Sequence, residues 1–249
     1  MTTLITSVLD EQRNIRQPCD VRNMTWYENV KLLGLSALVL HDCLSPDQIV
    51  GLQTQQIRFM SIDPPAGISL GDYRFVLWYA ILSGQGLPRQ WTSVEVNTKW
   101  SPPVAKVFIT DLFDVSFSGN PFELVFGSRY HVYLGTEEYS PPEWNEWMYE
   151  RAEACGRHDV LRHALNMTSY FFNTGLIGGP VQPVLSLLRL ISLELLSSTE
   201  NIRLANCDMI LLNKFVHDLF STDTVFAGYP LHSRFKKYEY ASDAYIHHK

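Results

Sequence analysis

A chain of 249 residues that is 46% hydrophobic and 18% charged, with a net charge of -6, is long enough for one large α/β domain and composed to fold. It carries no basic run beyond Arg234 and Lys236-Lys237, which argues against a duplex nucleic-acid binder. No uncharged apolar stretch reaches the ~18 residues of a membrane span, because the best stretch, Pro183 to Leu196, contains Arg189 and Glu194.

The N-terminus, MTTLITSVLDEQ, lacks a basic leader region and turns acidic early. Cys19, Cys43, Cys155 and Cys207 match no metal-finger spacing and read as buried reduced thiols of a cytosolic protein. The expectation is a cytoplasmic enzyme or a soluble catalytic domain excised from a larger protein.

Thr2 to Leu9 is a β-rich run that opens the chain as a central strand would. Thr25 with Glu28 predicts a capping box at the start of a helix running to about Leu35. Ser36 to His41 predicts a buried strand, Ser45-Pro46 a second helix and Ile57 to Ile62 a third strand. Asp72 to Leu82 predicts an apolar helix, and Ser83 to Pro103 a surface excursion. Ala105 to Thr110 is the clearest buried strand, and Asp111 stands at its end. Further strands are predicted within Arg129 to Gly135 and over Tyr170 to Ile177, the latter ended by Gly178-Gly179-Pro180. Helices are predicted over Trp144 to Ala154, Asp159 to Leu165, Val181 to Ser197 and Asp208 to Leu219, and an extended tail over Tyr238 to His248. The alternation of strand and helix predicts a mostly parallel central sheet flanked by helices in a single α/β domain. Ligands of such sheets bind at the carboxyl ends of the strands.

Asp111 and Asp114 fall at such an end. Two close carboxylates there suit a hard cation such as Mn²⁺ or Mg²⁺ bridging a diphosphate, and they equally suit a capped turn. Phe172-Asn173-Thr174-Gly175-Leu176-Ile177-Gly178-Gly179 offers glycines for close backbone approach or simply a turn. Asp208 opens a helix, as a site carboxylate or a cap. His247 and His248 point to opposite sides of an extended segment, so only one of them could turn to a ligand, and the pair equally suits an exposed tail.

VFITDLFDVSFSGNPFEL, followed in order by FNTGLIGG, the NCDMILLN helix start and the terminal His pair, resembles the GT-A-type glycosyltransferases over roughly Thr3 to His248. The match to their DxD motif is altered to D-x-x-D. The resemblance implies a GT-A-like fold, with a nucleotide-binding half to about residue 122 and an acceptor half beyond it. It implies Mn²⁺ (or Mg²⁺), a nucleoside diphosphate sugar donor and a glycan or glycoconjugate acceptor. Asp114 as direct ligand, Asp111 as ribose or metal partner, and one of His247 and His248, with His247 the one expected, would hold the metal. Asp111, Arg74, Asp10, Gly175, Gly178 and Gly179 would line the donor, with Arg74 reaching the diphosphate and Asp10 and Arg13 bordering the base. Asp208 and Asn173 would serve the reacting sugar. The aromatic stretch Pro141 to Tyr149 is a candidate acceptor surface or a core helix face. Two other readings share the fold: a nucleotidyltransferase, disfavoured because SVLDEQRN has no glycine, and an inactive sugar-binding domain.

Overall fold

The computed structural model describes residues 2–8, 21, 24–64, 66–84, 104–124, 130–137, 146–161, 171–233 and 243–248. The strands are β1 (Thr2–Val8), β2 (Ala37–His41), β3 (Ile57–Ser61), β4 (Lys106–Thr110), β5 (Val115–Phe117), β6 (Val132–Thr136), β7 (Phe172–Pro180), β8 (Val225–Ala227) and β9 (Ile246–His248). The helices are α1 (Thr25–Leu32), α2 (Pro46–Leu52), α3 (Leu70–Ser83), α4 (Glu146–Ala154), α5 (Val181–Ser197), α6 (Glu200–Leu204) and α7 (Asp208–Leu219).

Seven strands form the central sheet in the order β3-β2-β1-β4-β7-β6-β8. β1 to β4 are mutually parallel, so their carboxyl ends lie along one edge. β7 alone runs against both of its neighbours. A small second sheet pairs β5 with β9.

The inner strands β2, β4, β7 and β6 bury both faces, as a sheet covered by helices on both sides must. On β4, Val107 and Ile109 enter the core shared with α3, α5 and α7, while Phe108 enters the opposite core with Trp26 and Tyr27 of α1. Leu38 and Leu40 of β2 face the first core, and Ala37 and Val39 the second. Most predicted elements fall within a residue or two of these bounds, and α5 and α7 match end to end.

Three expectations are corrected. Thr25 is the first helical residue and Met24 the cap, with no side-chain capping bond; the capping box forms instead at Ser45 and Gln48 of α2. β7 does not stop at the glycines but runs through Gly178 and Gly179 to Pro180, because their bare backbones let it pack under Phe108. Cys155 and Cys207 are not reduced thiols but a disulfide, their Cα atoms brought to 5.9 Å by the end of α4 and the start of α7. Cys43 is disulfide-bonded as well. Most of the surface excursion, the tail before residue 243 and residues 141–145 of the aromatic stretch lie outside the described residues, as does the 159–165 helix beyond residue 161. Within α4, Trp147 and Tyr149 are exposed while Met148 is buried.

Candidate active site

The site grows from the carboxyl end of β4. Thr110 is pinned there: its carbonyl accepts from Thr6 Oγ1 at 2.7 Å and its hydroxyl from Trp26 Nε1 at 2.8 Å. The Asp111 N–H donates to the Gly175 carbonyl at 3.0 Å. The turn then sorts its side chains. Leu112 enters the core, Phe113 stands 66% exposed, and Asp114 precedes β5.

β5 and β9 bring the chain terminus to this turn, with Val115 opposite His248 and Ser116 opposite His247. Side chains alternate along a strand. Ile246 and His248 are therefore buried, and His247 faces the other way, half-buried. The register of β9 against β5 thus turns His248, and not the expected His247, toward Asp111 and Asp114. Its Nε2 lies 3.8 Å from Asp114 Oδ2. Ligand atoms of Asp111, Asp114 and His248 all lie within 4.8 Å of one another. Burial pushes the His248 imidazole down to about 4, against a smaller upward pull from Asp111. The ring is neutral at pH 7, so its contact with Asp114 is a meeting of two ligand atoms rather than an ion pair. Two carboxylates and a neutral imidazole are a donor set that suits Mn²⁺.

Gly175 makes room for this arrangement. A Cβ there would stand 2.4 Å from His248 Cε1 and 2.8 Å from Asn173 Oδ1. Asn173 turns its carboxamide to the same side. Its oxygen accepts from the Gly175 N–H at 2.6 Å, and its amide donates to Glu137 at the end of β6.

Arg74, on the first turns of α3, closes the other flank. Its fork donates to Asp111, to Asp208 Oδ2 at 2.8 Å and to Thr174 Oγ1 at 3.0 Å. Its Nε donates to the Gly71 carbonyl at 3.1 Å. Burial works against the guanidinium charge, but Asp111 and Asp208 outweigh it and hold Arg74 charged. Asp208 is the first residue of α7 and is almost fully buried. The planar fork of Arg74, expected to reach a diphosphate, thus bridges two carboxylates, as an ammonium could not. Beneath it lies Asp72, fully buried, raised to about 7 by burial first and by Asp208 second.

The structure thus gathers Asp111, Asp114, His248, Gly175, Asn173, Arg74 and Asp208. It does not gather Gly178 and Gly179. These pair with Phe108 and Val107, toward the amino end of β4, and pack against Phe108 and Tyr133. They pack in the core, away from this cluster. Asp10 and Arg13 lie outside the described residues. Sequence reading missed Thr174, Glu137 and Phe113. Thr174 stands inside the quoted FNTG motif, and Glu137 follows an apolar strand as Asp111 does, so strand-end position was the available signal for both.

No protein-family model matches the chain, and no curated protein matches it. The fold and the site define an α/β protein whose strand-end carboxylates meet a terminal-segment histidine. No helix among the described residues is long and apolar enough to cross a membrane.

Proposed function

We propose that this chain is a metal-dependent glycosyltransferase, moving a sugar from a nucleoside diphosphate sugar, a UDP-sugar in first place, to a hydroxyl of a glycan or glycoconjugate. The observation that carries the reading is the convergence of Asp111, Asp114 and His248 within 4.8 Å at the carboxyl end of the parallel strands. A divalent cation held by these three side chains would neutralise the charge of a leaving diphosphate. Phe113, exposed between the two carboxylates, offers a flat apolar face to a nucleobase. Arg74 fixes Asp111 and Asp208 in one frame, so the metal-side and sugar-side carboxylates keep their spacing. Asn173, tied to Glu137 and to the Gly175 backbone, presents a fixed amide on the same side. The Cys155–Cys207 disulfide supports work in an oxidising compartment rather than the cytoplasm.

The test is thermal denaturation with a panel of UDP- and GDP-sugars, with and without Mn²⁺. Stabilisation by a nucleotide sugar only when Mn²⁺ is present, lost in Asp114→Ala, is the expected result. Equal behaviour with and without metal would sink the reading.

A further inference from the structure

The segment that delivers Asp208 is tied down more densely than a helix start requires. Residues 203–207 turn sharply into α7, and Asn206 holds a left-handed φ of 58° without being glycine. The first turn of α3 grips this corner from one side. The Arg203 carbonyl accepts from the Ser69 N–H at 2.7 Å. Ser69 Oγ donates to Asn206 Oδ1 at 3.3 Å, and the Cys207 N–H donates to Asp72 Oδ2 at 3.0 Å. Gly71 leaves room for this fit, since a Cβ would stand 2.1 Å from Asn206 Oδ1 and would push that carboxamide off Ser69. From the other side α4 holds the same corner. Arg151 Nη1 donates to the Ala205 carbonyl at 2.8 Å, and Cys155 is bonded covalently to Cys207. Both sulfur-bearing residues are buried.

Asp208 follows Cys207 directly, and Arg74 follows Asp72 by two residues. The bonds that hold the corner on α3 therefore also set the distance between the Asp208 carboxylate and the Arg74 fork. None of them touches Asp114 or His248, which β5 and β9 position independently.

We propose that Asp72 and the Cys155–Cys207 disulfide are positioning residues of the active site, a two-sided latch that holds Asp208 against Arg74. Resting on the glycosyltransferase reading, this means that sugar transfer needs the oxidised, latched chain, while metal and nucleotide binding do not. A buried bond that reductants reach poorly makes the latch a permanent fitting rather than a switch.

The experiment compares wild type with C155A/C207A, Asp72→Ala, Asp72→Asn and Gly71→Ala by three readouts. Amide exchange at residues 208–212 is followed against that at residues 246–248. Mn²⁺-dependent UDP binding is measured by calorimetry. UDP release is timed with the UDP-sugar that gives the largest thermal shift. In C155A/C207A, Asp72→Ala and Gly71→Ala, exchange at residues 208–212 rises about tenfold or more with residues 246–248 unchanged. UDP affinity stays at the wild-type value, and turnover falls about 10–100-fold, as for a misplaced group. Asp72→Asn keeps an oxygen for the Cys207 N–H and recovers most of the turnover.

Unchanged exchange at residues 208–212, or turnover and UDP affinity lost together, overturns the latch. Should C155A/C207A fail to fold, Asp72→Ala and Gly71→Ala, which keep the disulfide, decide by the same criteria. A wild type that binds no UDP with Mn²⁺ counts against the glycosyltransferase reading alone, because the exchange readout still judges the latch.

Discussion

Replacing Gly175 by Ala isolates the space that lets His248 meet the two carboxylates. The φ at Gly175 lies outside the left-handed range, so an alanine meets no backbone strain and space alone decides the outcome. The new Cβ would stand 2.4 Å from His248 Cε1 and 2.6 Å from its Nε2. The ring must therefore retreat by about 1 Å to reach an ordinary carbon contact. His248 is 3% exposed, and its backbone N–H donates to Ser233 Oγ at 3.1 Å, so the ring is held inside the protein by burial and by its anchored main chain and moves off the carboxylates. Overpacking of this kind costs about 1–3 kcal/mol of stability, and a displaced ligand costs about 10–100-fold in metal affinity. Gly178→Ala on the same strand is the control. Its Cβ would strike Phe108 at 1.9 Å, destabilising the core without touching the cluster. Mn²⁺ titration by calorimetry, beside thermal melting, separates the two. Gly175→Ala binding Mn²⁺ as tightly as wild type, or Gly178→Ala losing the metal equally, would refute the reasoning.

Three further outcomes follow from the geometry. His248→Ala abolishes measurable Mn²⁺ binding in the same titration and His247→Ala leaves it unchanged, since only His248 faces Asp114; the reverse result would contradict the register. Arg74→Met leaves Asp208 buried without its cation and lowers stability by about 3–5 kcal/mol in urea unfolding. Arg74→Lys restores the charge but not the fork, recovering stability without turnover. The pH dependence of the metal-free protein carries two opposed slopes. Between about 4 and 6.5 the unfolded chain binds a proton at His248 that the folded chain excludes, so stability rises with pH. Between 3.8 and about 7 the folded chain keeps a proton on Asp72 that the unfolded chain has lost, so stability falls with pH. Each slope is about 1.4 kcal/mol per pH unit. These two contributions offset one another in wild type, so relative to it His248→Asn melts lower as pH rises and Asp72→Asn melts higher. Parallel profiles for all three would contradict the assignment.

Much of the site was legible because it follows local rules. Asp111 and Asp114 end a run of buried apolar residues, Asp208 begins a helix, and both readings need only a few neighbouring residues. What stayed hidden depends on register and on distant partners. His247 and His248 are equivalent until β9 is paired with β5. Gly175 and Gly178 look alike in FNTGLIGG, yet one lies against His248 and the other beneath Phe108. Nothing local to Arg74 shows that two carboxylates claim its fork. The disulfide joins cysteines 52 residues apart, a pairing no spacing pattern signals. Hydrophobic pattern marks β7 as a strand but does not fix its direction, so its reversal against β4 and β6 stays hidden in the sequence.

The most direct test of the central claim is UDP release from a panel of UDP-sugars offered with glycan acceptors, followed with Mn²⁺ and with a chelator, in wild type and Asp114→Ala. The account predicts release by wild type that requires Mn²⁺, stops with the chelator and is absent in Asp114→Ala. Release that ignores both the chelator and the substitution, or no release from any sugar in the presence of Mn²⁺, would contradict it.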